Sequence, residues 1–183
     1  MKGFILFVIV VVGWPASLMA DTAPFGEAPY GIPGKIEAEH WDKGAAGEAY
    51  EDVDEENRGA DYREATAVDI EARDDASNGH GIGWTRAGEW LVYTVEVKED
   101  GEYGIRMPVA SKGEGGVFHI EIDGEDVTGP MRIPDTGSWQ QLEILEHEGV
   151  TLKKGVYQMK VVMDENGASK GIGDIDFFEF FKE

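Results

Sequence analysis

The chain contains no cysteine. Disulfides are thereby excluded, and a hydrophobic core, with or without a bound metal, has to supply stability. Positive charge is scarce too: 16 Lys and Arg stand against 37 Asp and Glu, for a net charge of −21. Such a surface repels nucleic-acid phosphates and anionic lipid headgroups, which argues against both as partners and, more weakly, against sulfated or uronate-rich polymers. The same acids would also serve plain solubility in salty surroundings.

Helical periodicity is missing as well, since no segment carries apolar residues at the spacing of a helical stripe. There is no P-loop, no G-x-S-x-G and no Rossmann glycine fingerprint, and His40, His80, His119 and His147 do not have metal-site spacing. The glycine-rich piece from Gly79 to Gly83 leads into a strand pattern, so no helix N-terminus follows to hold phosphate. Long apolar runs are confined to residues 4–12, far short of the ~20 needed to span a bilayer. With Lys2 before that run and Pro15, Ala16, Ser17 and Ala20 after it, residues 1–20 read as a cleaved secretory signal. The expected organisation is then a signal at 1–20, a proline-rich extended leader at 21–34 and one domain at 35–183. The protein is expected to be secreted, extracellular or periplasmic, with no membrane contact after cleavage.

What the chain does have is alternation. Leu91, Tyr93, Val95 and Val97 share one face of a strand, with Trp90, Val92, Thr94 and Glu96 on the other. Tyr103 to Val109, Phe118 to Ile122 and Tyr157 to Met163 repeat the period of two, separated by turns such as Asp100-Gly101, Asp123-Gly124 and Lys154-Gly155. Short strands are also predicted at Ile36 to Glu39 and Val68 to Glu71. The last strand, Ile175 to Phe181, has aromatics on both parities and is expected to be central and covered on both sides. The pattern predicts an all-β fold, a β-sandwich of antiparallel strands.

Three tryptophans fall off the core parity. Trp84 ends a glycine-rich loop, and Trp139 follows Thr136-Gly137-Ser138 on the parity opposite Leu142 and Ile144, which are assigned to the core face. Each ring is either buried mass or an open platform. Two open rings flanked by carboxylates and amides suit a sugar, whose C–H face lies on an aromatic ring while its hydroxyls need placed donors and acceptors. Trp90 projects from an outer sheet face that is either a second binding surface or an ordinary solvated one. Glu37 and Glu39, two apart on one strand face, would meet Asp176 if the first and last strands are neighbours. Three convergent carboxylates suit a hard cation such as calcium, although a paired-carboxylate glycosidase site could draw on the same residues.

Taken in order, these pieces resemble a family 6 carbohydrate-binding module over nearly all of Ile36 to Phe181. The resemblance is carried by Ile36-Glu37-Ala38-Glu39, Val68-Asp69-Ile70-Glu71, Gly81-Ile82-Gly83-Trp84, Ala87-Gly88-Glu89-Trp90-Leu91-Val92-Tyr93, Val109-Ala110-Ser111, Val127-Thr128-Gly129-Pro130, Ile133-Pro134-Asp135-Thr136-Gly137-Ser138-Trp139 and Ile175-Asp176-Phe177-Phe178. It implies a jelly-roll sandwich that binds polysaccharide or oligosaccharide without cleaving it. Trp84 and Trp139 would clamp a sugar ring in a loop cleft, and Glu71 would accept from its hydroxyls. Asp174 stands where the family has Asn, and an ionised Asp accepts without donating. The resemblance also implies a second, concave-face cleft at Trp90 and a structural calcium held by Glu37, Glu39 and Asp176. The loop-rich insert from Asp54 to Arg63 resembles modules that accompany agar- and other algal-polysaccharide-degrading enzymes, and a neutral plant or algal polysaccharide of the agar, xylan or β-glucan type is the expected ligand. A glycoside hydrolase acting on the same polymer is the expected partner. A small secreted hydrolase or lyase and a cell-surface protein-interaction domain are the rival classes.

Overall fold

A computed structural model describes residues 22–59 and 62–183, which form strands and, among the described residues, no helix. The segment expected to be a signal lies outside the described residues. Two seven-stranded sheets pack face to face. The first holds β1 (Tyr30–Ile32), β3 (Tyr50–Glu51), β6 (Trp90–Val97), β8 (Val117–Ile122), β9 (Glu125–Asp126), β10 (Met131–Arg132) and β12 (Gly155–Glu165). The second holds β2 (Gly34–Glu37), β4 (Ile70–Ala72), β5 (His80–Ile82), β7 (Gly101–Ala110), β11 (Glu143–Leu152), β13 (Asp174–Ile175) and β14 (Phe177–Lys182). All pairs are antiparallel except β1 against β6, so part of the segment read as a leader adds an edge strand to the first sheet.

Alternation decides which residues meet between the sheets. Tyr93, Val95, Val97, Tyr103, Ile105, Met107 and Val109 are wholly buried, as their parity predicts. Tyr93 packs edge-on to Phe178 at 5.7 Å, and its hydroxyl donates to the Ala38 carbonyl at 2.7 Å. This bond spares a buried phenol the cost of an unpaired O–H.

Three expectations are corrected. Ile144 is 58% exposed and Leu145 packs on the core instead, because β11 lies at the sheet edge with Leu145 opposite Met107 and Ile144 opposite Pro108. Glu39 is not on a strand face: β2 ends at Glu37, and Glu39 follows in a turn. The closing strand breaks at Asp176 into β13 and β14, each paired to β7. β14 is interior, between β2 and β7, yet only one of its faces meets the core. The outer rings are capped by cations, Lys35 at 4.9 Å from Phe177 and Arg106 at 4.1 Å from Phe181. Such cation–π contacts leave an aromatic outer face compatible with water.

The turn that leads from Trp84 into β6 is closed by Glu89, which is 9% exposed and accepts from the Arg86 N–H at 2.9 Å. Burial, with Asp52 and Asp69 nearby, pushes its carboxyl up to about 8. A carboxyl raised on folding contributes fully in acid and loses that contribution as pH rises through its folded value. Glu89→Gln keeps an acceptor and removes the charge. Its melting temperature should fall less between about pH 6 and about pH 9 than that of the wild-type chain. Parallel melting curves followed by circular dichroism would remove Glu89 as the cause.

Candidate functional site

Both tryptophans expected at a rim are there. Trp84 is 45% exposed and takes a left-handed backbone, φ 49°, a conformation that costs a non-glycine residue about 1–3 kcal/mol and persists where its surroundings enforce it. The surroundings do so on two sides. Thr85 donates its hydroxyl to the Gly173 carbonyl at 2.6 Å, and the Ile172 N–H donates to the Thr85 carbonyl at 2.8 Å, so the Trp84 loop is tied to the approach to β13. Beneath the ring lies Gly59, where a Cβ would fall 2.2 Å from the Ile70 carbonyl oxygen and 2.9 Å from Trp84 Cζ3. Only glycine fits that floor.

Trp139 is held from the other side. The Thr136 hydroxyl donates toward the Ser111 and Ser138 carbonyls at 3.1 and 2.9 Å and accepts from the Ser111 N–H at 3.1 Å. Asp135 accepts from the N–H groups of Gly113 and Gly137, each at 2.8 Å. These bonds fasten the Trp139 loop to the end of β7, where Ala110 pairs with Asp174. One strand end therefore carries both an aromatic wall and an acid into the same place.

Trp84, Trp139, Glu71, Asp174 and Gln140 line a cleft of about 300 Å³. Four of the residues expected from sequence thus converge. Trp90 does not join them: it is half-buried on the outer face of the first sheet with the Lys160 ammonium 4.1 Å from its ring centroid.

Sequence reasoning missed Arg73. Its side chain is 4% exposed, and Nη1 donates to Glu71 Oε2 and to Asp174 Oδ2, each at 2.8 Å. Nε and Nη2 grip the two oxygens of Asp75 at 3.0 Å. This grip, joined by the Leu142 backbone, holds Asp75 below the usual carboxylate range. Burial first, and the Glu71 carboxylate second, push Asp174 upward against the pull of Arg73. The available signal was local, an Arg two residues beyond Glu71 and two before Asp75; the third partner, 101 residues away, was not in view. Gln140 also went unnamed, although it directly follows Trp139. Beyond Glu71 and Gln140 the cleft widens into a trough of about 620 Å³ lined also by Arg73, Asp74 and Asp75.

The three acids expected to hold calcium gather around Ser77 and Asn78. Because β2 does pair with β14, Glu37 and Asp176 come close enough to share Ser77: its hydroxyl donates to Glu37 Oε2 at 2.6 Å, and its N–H donates to both Asp176 oxygens at 3.1 Å. Asn78 donates to Glu39 Oε1 at 2.8 Å. Glu39 is wholly buried, its Oε2 has no partner, and burial pushes its carboxyl up to about 7. Among the described residues no three His, Asp or Glu are spaced to grip an ion as they stand. The donor set itself is all oxygen, and the orphaned Oε2 is an acceptor that a hard cation would satisfy.

A family model for the carbohydrate binding module (family 6) matches residues 58–182. Among solved structures, a β-1,3-glucan binding family 6 module from Bacillus halodurans is 23% identical over 84% of this chain and 98% of that one, with a TM-score of 0.62. A module of Cellvibrio mixtus lichenase 5A, solved with cellotriose, is 25% identical over 83% and 98%, TM-score 0.59. The C-terminal family 6 module of LamC from Zobellia galactanivorans is 26% identical over 81% and 98%, TM-score 0.58. The clotting factor G alpha subunit of Tachypleus tridentatus is 28% identical over 102 residues, 55% of this chain, which spans 15% of that protein's length. With the family model matching well over half of its length and the sandwich of these neighbours, the chain belongs to family 6 of the carbohydrate-binding modules.

Proposed function

We propose that this chain binds a neutral plant or algal polysaccharide, of the agar, xylan or β-glucan type, in the cleft between Trp84 and Trp139, and does not cleave it. The observation that carries this reading is the pair of indoles lining one cleft with Glu71, Asp174 and Gln140. The rings take the C–H faces of a sugar, and the acids and the amide take its hydroxyls. An Asp174 pushed upward by burial can hold a proton, and then donates as well as accepts, as the family's Asn would. Binding of β-1,3-glucan by the Bacillus halodurans module and of cellotriose by the Cellvibrio mixtus module supports a β-glucan among the candidates.

The placement of Glu71 and Asp174 supports binding without catalysis. Glycosidases set two carboxyl groups on opposite sides of the scissile bond. Here Glu71 and Asp174 accept from the same Arg73 nitrogen, so they stand side by side on one wall. A glycoside hydrolase acting on the same polymer, and export from the cell, complete the proposal.

Trp84→Ala and Trp139→Ala should each weaken retardation by polysaccharide in affinity gels by roughly ten-fold, since aromatic stacking contributes about 0.5–1.5 kcal/mol beyond the area it buries. Trp90→Ala, whose ring already lies under Lys160, should leave retardation in place. Full retardation of both cleft variants would overturn the assignment, and its loss in the Trp90 variant alone would move the site to the sheet face.

We propose, further, that Glu37, Glu39 and Asp176 hold a structural calcium ion, which would supply the positive charge that the buried Glu39 lacks. A ligand that binds only the folded chain stabilises it by mass action. A chelator should therefore lower the melting temperature and added calcium restore it, with Glu39→Gln insensitive to both. A wild-type curve indifferent to chelator and calcium alike would exclude the ion.

A further inference from the structure

The wall that carries Glu71 and Asp174 is built across a bare strand. β5 lies between β4 and β13, and no side chain rises from Gly81 on β5 or from Gly83 just after it. A Cβ on Gly81 would fall 3.6 Å from Arg73 Cδ and 3.1 Å from the Ile175 carbonyl oxygen, and one on Gly83 would fall 3.2 Å from Asp174 Oδ1 and 3.6 Å from Glu71 Cβ. The Arg73 side chain crosses this lane and ends with Nη1 2.8 Å from an oxygen of each acid. Its own loop is fastened. The Arg73 N–H donates to the Gly79 carbonyl at 2.9 Å, Nε and Nη2 hold Asp75, and farther along Ser77 donates to Asp176 and Asn78 to Glu39. The guanidinium is therefore a fixed point, 4% exposed, and it stays outside the cleft lining of Trp84, Trp139, Gln140 and the two acids.

Resting on the reading of this cleft as a sugar site, we infer that Arg73 is its positioning residue: it does not meet the sugar, and it sets affinity by holding the Glu71 and Asp174 carboxylates side by side against their mutual repulsion. Like charges this close turn apart unless a cation lies between them. A sugar hydroxyl needs its acceptor at a set distance and angle, so a wall whose acids turn apart loses affinity while the sandwich stays folded. Charge alone does not suffice. A Lys ammonium keeps the counter-charge but lacks the planar fork that grips Asp75 with two nitrogens and bridges the two acids with the third.

The test is a double-mutant cycle read by titration calorimetry with oligomers of β-1,3-glucan, xylan and agarose, with folding followed separately by circular dichroism. Arg73→Lys, which keeps the buried counter-charge, should stay folded and bind roughly ten-fold more weakly than the wild-type chain. In an Asp174→Asn background, where no charge is left to be held against Glu71, the same Lys substitution should weaken binding by no more than about two-fold. Equal losses in both backgrounds would make Arg73 a general support and overturn the inference, as would full affinity in Arg73→Lys. Should Arg73→Lys fail to fold, Arg73→Met/Asp174→Asn, which removes the cation together with its most buried partner, carries the comparison. Affinity close to that of Asp174→Asn supports the positioning role, and a further loss of about ten-fold overturns it. These outcomes leave the clamp standing, whereas a wild-type chain that binds none of the oligomers or their polymers overturns the clamp and the inference with it.

Discussion

The cleft depends on one guanidinium. Arg73 bridges Glu71 on β4, Asp75 in the loop that follows and Asp174 on β13, so β4 and β13, which lie on either side of β5 in the sheet, are also joined by charge. An Arg with its planar fork suits this bridging, since it can present several N–H groups to different carboxylates at once, whereas a Lys ammonium offers a single point. Removing it would leave Asp174 buried with Glu71 beside it and no counter-charge, the situation in which breaking a buried pair costs about 3–5 kcal/mol. Asp174 is thus held where burial disfavours its charge.

The two tryptophans are positioned by a different kind of bond. Neither ring is anchored by its own indole nitrogen in the described hydrogen bonds; each is held through the residues around it. Thr85 and Thr136 tie the loops to Gly173 and Ser111, and both ties lead to the junction of β7 with β13. Strand pairing of Ala110 with Asp174 then fixes the distance between the loops. The sandwich serves the cleft in this way: pairing energy spread over long strands sets a few loop ends rigidly, while the loops stay free to vary in sequence.

Much of this could be read from residue order because alternation is a local signal. The buried faces of β6, β7, β8 and β12 follow directly from period two, and Trp84 and Trp139 stand out as large apolar residues off that period. The failures are where local order carries little. At the edge strand β11, Glu143, Leu145 and His147 share the inward parity although Ile144 is the more apolar residue, and a bulge before Val150 then shifts the register. Trp90 has the right parity for an outer face, but parity says nothing of Lys160 lying across it. Arg73 was invisible as a hub because its most buried partner lies at the far end of the chain.

The same limit explains the acids around Ser77. Sequence spacing suggested Glu37 and Glu39 side by side on a strand, whereas the chain turns after Glu37 and sends Glu39 inward. Convergence survives because the backbone closes it from elsewhere: β2 pairs with β14, and the Ala38 N–H donates to the Asp176 carbonyl at 2.9 Å. Asp176 sits at the break between β13 and β14, two residues beyond Asp174. A short segment therefore sends one acid into the cleft and a second toward Ser77. Whatever neutralises the Ser77 group steadies the strand that carries Asp174, and through Arg73 that strand sets the wall against which a sugar would lie.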